Sequence, residues 1–431
     1  MSLIHESARS ESRPKPIRQV LPNGIVVLVT ENRSADIVTT RLLVKGGGRH
    51  ELPHQAGIAN LVAMVMTKGT DLLSSQEIAA QIESVGASLG TDATADYCLL
   101  GFKTVSEDFR SILSLAADIV QRPSFPQEEI ELERRLTLQS IRSMQEQPFS
   151  VAYNHLRQML HANTSYAVSG LGTEETVSQL DREAILDYYY ANFRPENIVI
   201  SIAGRISPKD ALDAVIQSFG SWHGEGTTNT EWPTPSLLPP TTGHHANPQN
   251  TQQAIVMLGY QAAAVHHDDY VSLKLLSTYL GNGLSSRLFV ELREKQGLAY
   301  DVSAIYPTRM DPSHFVVYMG TAPQNVPVAI EGLDHEVQRL CHLKLTSDEL
   351  QISKNKLLGQ YALGKQTNGQ VAQLYGWYEI LNLGVDFDHS FQKDVDSLTI
   401  EQLQAVAQRY FSSDRCISLV GPEESIAMVN A

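Results

Sequence analysis

Cysteine is scarce in this chain. Cys98, Cys341 and Cys416 are its three copies, odd in number and far apart, so they supply neither a disulfide framework nor metal-ligand spacing. Their expected state is that of small buried hydrophobes in a reducing compartment. Positive charge is also in deficit: 33 Lys and Arg stand against 48 Asp and Glu, a formal net charge of −15. That balance argues against nucleic acid, whose binding relies on basic side chains neutralising phosphates, and against an anionic membrane surface. No uninterrupted apolar run approaches the length that spans a bilayer. The opening residues, Met1 to Arg13, lack the apolar core of a signal peptide. The expected location is therefore cytoplasmic, with no membrane and no nucleic acid among the partners.

What is present suits a globular protein of two domains. The chain has 431 residues, 42% of them hydrophobic and 19% charged, enough for two sizeable cores. Residues 1–16 are polar and proline-bearing and read as a disordered tail. An N-terminal domain is expected over 17–221 and a C-terminal domain over 250–431. Between them lies a linker, 222–249, rich in Gly, Thr, His and Pro, with Pro233, Pro235, Pro239 and Pro240 favouring extended chain.

Local patterns place elements within these domains. Asn23-Gly24 between the apolar runs Arg18–Leu21 and Ile25–Thr30 predicts a hairpin, because both turn residues tolerate positive φ. A strand is expected over Ile37–Lys45, ending in Gly46-Gly47-Gly48, and strands over Ser88–Thr91 and Asp96–Thr104. Helical periodicity covers Ile58–Met66, Ser75–Val85, Glu107–Gln121 and, at length, Gln127–His161. Ser74 and Glu77 have the spacing of a capping box.

The two sides also resemble each other. A helix over Leu180–Phe193 and a strand over Asn197–Ala203 ending at Gly204 match Leu398–Phe411 and Cys416–Val420 ending at Gly421. The run through Gly86 to Thr104 matches the run through Gly297 to Thr321. The offsets, about 218 and about 211 residues, nearly agree, which implies a duplicated domain rather than a solenoid. Hairpins mixed with flanking helices give the fold class α+β: two duplicated α/β domains with mixed, largely antiparallel sheets.

Two segments carry chemistry. One reads Gly47-Gly48-Arg49-His50-Glu51, five further residues, Gly57-Ile58-Ala59, a short helix, then Lys68-Gly69-Thr70. The other reads Ser286-Arg287-Leu288-Phe289, then Leu292-Arg293-Glu294 and Gly297-Leu298-Ala299-Tyr300. From about residue 17 to about residue 425 the chain resembles the pitrilysin/insulinase metallopeptidases, which include the mitochondrial processing peptidases. The resemblance implies a LuxS-like metallopeptidase half-clam built from two duplicated halves. It also implies where a zinc site would lie. Family members bind zinc through His-x-x-Glu-His on a helix, where residues four apart share one face and the intervening Glu activates a water. A distal Glu on a long helix completes the ligands.

In this chain the matching positions are Asn60, Ala63, Met64 and, distally, Ser140. A thioether is a poor zinc ligand and a methyl group is none, so the site is expected to be degenerate and the chain to hold no cofactor. His50-Glu51-Leu52-Pro53-His54 fits His-Glu-x-x-His formally, but that pattern works only on a continuous helix. Pro53 can start a helix and cannot sit inside one, so solvated loop histidines are expected. His244-His245 and His266-His267 read as linker and surface residues. The acidic run Glu128-Glu129-x-Glu131-x-Glu133 reads as a solvated helix start. Gly281-x-Gly283 is too short for a phosphate loop, and the chain lacks the long glycine-rich loop of the mitochondrial non-catalytic subunit.

The second segment retains what the first has lost. In the family an Arg and a Tyr seven residues apart face the zinc site, bind the substrate backbone and stabilise the oxyanion. The matching residues are Arg293 and Tyr300. Guanidinium and phenol both suit a carbonyl oxygen gaining negative charge. Alone, the pair would read as a helix-end arginine and a strand tyrosine. Arg287 and Phe289 are expected to orient the segment. Together the two segments imply the non-zinc subunit of a dimer. A homologous partner subunit would carry His-x-x-Glu-His and the zinc, and peptides would be the substrate, added as a strand at a sheet edge of the partner. The rivals are a catalytically dead scaffold or peptide-binding protein, like respiratory-complex core subunits, and a peptidase using His50 and His54.

Overall fold

The expected hairpin forms at Asn23-Gly24, with Gly24 and not Asn23 taking a positive φ. Gly24 has φ +95°, its amide donates to the Leu21 carbonyl at 2.9 Å, and strands β1 (Ile17–Val20) and β2 (Val26–Glu31) pair antiparallel across it. The computed structural model describes residues 15–162, 164–224, 240–413 and 415–430. The expected tail, up to residue 14, and the middle of the expected linker, 225–239, lie outside the described residues.

Four more strands complete the first sheet: β3 (Val38–Lys45), β4 (Ser88–Ala93), β5 (Tyr97–Thr104) and β6 (Ile198–Gly204), in the order β1-β2-β6-β3-β5-β4. The second sheet holds β7 (Gly243–Pro248), β8 (Ala254–Ala262), β9 (Ala299–Ile305), β10 (Ser313–Thr321) and β11 (Cys416–Gly421), in the order β7-β11-β8-β10-β9. From β2 onward the two sheets repeat strand for strand. β2 runs parallel to β6 as β7 does to β11, and the remaining pairs are antiparallel in both. The duplication and the α+β class read from the sequence are therefore present.

Each sheet buries one face against helices of its own half. Leu42 and Val44 of β3 alternate inward against Ile58, Leu61 and Val62 of the Ile58–Val65 helix, following the two-residue period of a strand. In the second half, Val256 and Leu258 of β8 meet Leu273, Leu276 and Leu280 in the same way. The Ser74 capping box forms with both reciprocal bonds.

The opposite faces are covered by exchange. The Asn368–Ile380 helix, from the second half, lays Val371, Ala372, Tyr375 and Tyr378 on Leu28, Leu43, Val199 and Ala203 of the first sheet. Reciprocally, the Pro148–Leu160 helix of the first half lays Ala152, Leu156 and Leu160 on Met257, Val316, Cys416 and Val420 of the second. Gly376 lets the former helix come close: a Cβ there would stand 2.5 Å from Leu43 Cδ1 and 3.1 Å from Ser201 Cβ.

Two expectations need correction. The long helix over Gln127–His161 is two helices, Gln127–Gln145 and Pro148–Leu160. Pro148 has no amide hydrogen to continue the first and has the fixed φ that starts the second. That break sends the second helix onto the other sheet. The linker at 222–249 is not wholly a connector, since Gly243–Pro248 forms β7, paired parallel with β11. Among the described residues no helix is long and apolar enough to cross a membrane.

Candidate functional site

The Ile58–Val65 helix is anchored at its start by a buried carboxylate. Glu51 accepts the Gly57 amide at 3.0 Å and the Ala59 amide at 2.9 Å, satisfying donors that a helix start leaves free. Gly57 is left-handed at φ +96°, and a Cβ there would stand 2.6 Å from the Leu171 carbonyl oxygen. Burial pushes the Glu51 carboxyl up to about 7, against the pull of the two backbone bonds.

This geometry decides the His-Glu-x-x-His pattern. Gly48–His50 and Pro53–Gln55 are separate short 3₁₀ turns, so His50 and His54 do not share a helix face, and Glu51 is engaged as a cap. His54 is exposed as expected, but His50 is half-buried rather than solvated. Burial, with Arg49 beside it, pushes its imidazole down to about 3.

On the helix itself, Ile58, Ala59, Leu61, Val62, Ala63 and Val65 are buried, while Asn60 and Met64 are half-buried. Ser140 lies on the neighbouring Gln127–Gln145 helix, exposed, its hydroxyl donating back to the Leu136 carbonyl at 3.0 Å. A carboxamide, a methyl, a thioether and a hydroxyl committed to its own helix are not a zinc ligand set. The residues at these positions do not fit the metal. Among the described residues no cluster of three or more His, Cys, Asp or Glu side chains could hold an ion. Lys68 Nζ joins this region to the neighbouring helix through Glu133, 2.9 Å away. Glu133 is buried, so the acidic run is not solvated along its whole length.

The second segment is built differently. Phe289–Lys295 is π-helical and ends where Gly297 turns left-handed at φ +65°, with the Leu298 amide bonded to the Leu292 carbonyl at 2.9 Å. Arg287 is held by Glu336 at 2.7 Å and by Glu291 at 2.8 Å. Arg293 is exposed, its guanidinium 4.8 Å from the Phe289 ring centre. Tyr300 follows on β9, the edge strand of the second sheet, and is 59% exposed. Among the described residues neither Arg293 nor Tyr300 has a side-chain hydrogen bond or an ion pair.

A polar network that sequence reasoning missed joins the two halves. His161, Tyr166, Asp96 and Arg49 come from the first, and His314, Arg309 and Asp311 from the second. Tyr166 donates to Asp96, Arg309 lies 3.9 Å from the same carboxylate, and Arg49 binds Asp311 through two bonds of 2.5 and 3.0 Å. No spacing marks these residues, because they lie far apart in sequence, mostly in loops and short turns, and meet only where the two halves come together.

Comparison with known proteins agrees with this architecture. The family described as "Insulinase (Peptidase family M16)" matches residues 26–174, and that described as "Peptidase M16 inactive domain" matches 179–357. A Bacillus subtilis protein named "uncharacterized zinc protease YmxG" is 26% identical over 406 residues, covering 94% of this chain and 98% of that one. An "uncharacterized zinc protease" of Rickettsia bellii is 25% identical, covering 93% and 96%. Among solved structures, a protease from Helicobacter pylori superposes with a TM-score of 0.87 at 22% identity, covering 95% of this chain and 100% of the other. A peptidase M16 inactive domain from Pseudomonas fluorescens gives 0.87 at 20% identity, covering 95% and 98%. These structural likenesses establish the fold.

Proposed function

The chain belongs to the insulinase family of peptidases, M16, and lacks that family's zinc motif, and from this premise we propose that it is the non-metal-binding subunit of a dimeric zinc peptidase. The partner would be a homologous chain carrying His-x-x-Glu-His and the zinc. This chain would contribute substrate binding and oxyanion stabilisation. The observation that carries the reading is the contrast between the halves. Asn60, Ala63, Met64 and Ser140 do not make a zinc ligand set, while among the described residues Arg293 and Tyr300 stand exposed without a side-chain hydrogen bond or ion pair on adjoining elements.

The chemistry assigned to the pair follows from its groups. As a peptide carbonyl becomes tetrahedral its oxygen gains negative charge, and preorganised donors lower that barrier. A permanently charged guanidinium and a directed phenol hydroxyl both supply such donors. A chamber closed by two such subunits would admit short or unfolded peptides.

Purification of the tagged chain from its native source, with identification of what accompanies it, tests the assembly. The expected companion is an M16 chain with an intact His-x-x-Glu-His helix, and the pair cleaves peptides. A companion without that motif, or a complex inert toward peptides, would favour the scaffold reading.

A further inference from the structure

Arg41 lies in mid-strand on β3, an unusual place for a cation. Leu43, two residues on, faces the Asn368–Ile380 helix, while Leu42 and Val44 face the other core. Alternation therefore puts Arg41 on the same face as Leu43. Its cross-strand partner on β5 is Gly101, and Gly101 pairs in turn with Gly90 on the edge strand β4. Two glycines side by side leave this part of the sheet without side chains. The guanidinium lies over the first of them: a Cβ at Gly101 would stand 2.6 Å from Arg41 Nη1. A Cβ at Gly90 would meet nothing within 4 Å, so the floor is bare from there to the sheet edge.

The guanidinium borders a cavity of about 610 Å³ between this sheet face and the Asn368–Ile380 helix, a size within the range of ligand pockets. Tyr97, Leu374 and Trp377 give it an apolar wall, and Gln370 and Gln373 line it with amides. Arg41 is short of partners there. Among the described residues its side chain makes one hydrogen bond, to the carbonyl of its neighbour Thr40 at 3.3 Å, and no ion pair. Arg49, Arg134, Arg287 and Arg339, also partly buried, each pair with a carboxylate. A guanidinium keeps its proton throughout the ordinary pH range, and the remaining donors of Arg41 face this open pocket, where an anion can take them. The first turn of the Asn368–Ile380 helix stands beside it, with a Cβ at Gly369 3.5 Å from Arg41 Nη2, and adds the positive end of a helix dipole.

We propose that this cavity binds a peptide carboxylate, paired with Arg41, with the adjoining apolar side chain held against Tyr97 and Trp377. A carboxylate is the planar anion that a guanidinium binds through two parallel bonds, and the aromatic wall selects an apolar neighbour over a bare ion. The peptide leaves over Gly101 and Gly90 toward the edge of β4. The carboxylate is either a C-terminus or an acidic side chain. The proposal rests on reading the chain as a peptide-handling subunit, but it uses neither Arg293 nor Tyr300.

The test is fluorescence anisotropy on the purified chain without partner, at low salt, using N-terminally labelled octapeptides ending in Ala-Phe. One has a free carboxylate, one a C-terminal amide, and one the amide with Glu in place of the Ala. The free acid is expected to bind about tenfold or more tighter than the plain amide, the scale of a charge-assisted hydrogen bond. Arg41→Gln should abolish that difference. Gly101→Ala, which keeps the charge but displaces the guanidinium, should weaken binding of the acid. If the Glu-bearing amide matches the acid, a side-chain carboxylate serves as well as a terminal one; if it matches the plain amide, the site takes the terminus alone. Equal binding of all three peptides, or an acid preference undiminished in folded Arg41→Gln, overturns the proposal. Should Arg41→Gln not fold, Gly101→Ala decides alone, with unchanged acid preference overturning it. Cleavage by the assembled complex is not the readout, so failure here is separate from failure of the subunit reading.

Discussion

His161 Nε2 and His314 Nδ1 lie 2.7 Å apart and buried, the first at the end of the Pro148–Leu160 helix and the second on β10. Tyr153 closes the chain with its hydroxyl 2.6 Å from His314 Nε2. Burial, with Arg157 and Arg309 nearby, pushes His161 from 6.5 down to about 4 and His314 well below its ordinary value. Between about 4 and 6.5 the unfolded chain binds protons at these rings that the folded chain refuses, so stability falls as pH falls through that window. The limit is about 1.4 kcal/mol per pH unit for each ring. Thermal melts across the window should show this slope, flattened in His314→Gln. An equal slope in the variant would place the acid sensitivity elsewhere.

Glu51 has the opposite sign. Its carboxyl is raised from 4.5 to about 7 by burial, so between those values the folded chain holds a proton that the unfolded chain has released. Stability on this account decreases as pH rises through the window. Glu51→Gln keeps one acceptor for the Gly57 or Ala59 amide and does not titrate. Its melting temperature should therefore climb more steeply from about 4.5 to about 7 than that of the unmodified protein. Parallel curves would contradict the assignment.

Much of this fold is legible in the sequence where signals are local. The Asn23-Gly24 hairpin, the Ser74–Glu77 capping box and the repeated helix–strand units all form. The exchange of the Pro148–Leu160 and Asn368–Ile380 helices is not legible, because apolar periodicity says that a face is buried and not against what. For the same reason His161 and His314 look like isolated histidines until β10 is set beside the Pro148–Leu160 helix. Arg41 becomes informative only once strand register places Gly101 opposite it. The absent zinc ligands were legible because the motif has fixed helical spacing, whereas the exposure of Arg293 and Tyr300 had to come from the fold.

Exchange also predicts how the protein fails. Leu156 is fully buried among Met257, Val316 and Val420, and Leu156→Ala should cost about 2–5 kcal/mol. Because the two halves cover each other's sheets, tryptophan emission and far-ultraviolet circular dichroism should report loss of structure at one lowered midpoint. Two separated midpoints would show that the halves stand independently.

The degenerate site can be tested by repair. Asn60 and Met64 are four apart on one helix, and Ser140 is on the helix packed beside it. Asn60→His, Met64→His and Ser140→Glu together should give a folded chain that retains about one zinc, the three-ligand set of a catalytic site. With Ala63 unchanged there is no general base, so the variant should not cleave peptides. A folded variant that retains no zinc would show that these positions do not converge as the motif requires.

On the proposed reading, Arg293 and Tyr300 serve an active site whose metal belongs to another chain. The direct measurement is kcat for a short peptide, taken on this chain reconstituted with the zinc-bearing subunit that accompanies it. Arg293→Ala and Tyr300→Phe should each lower kcat by about 10²–10³-fold. Both residues are exposed, so melting temperature and assembly should be preserved. Undiminished cleavage by the double variant would contradict the account.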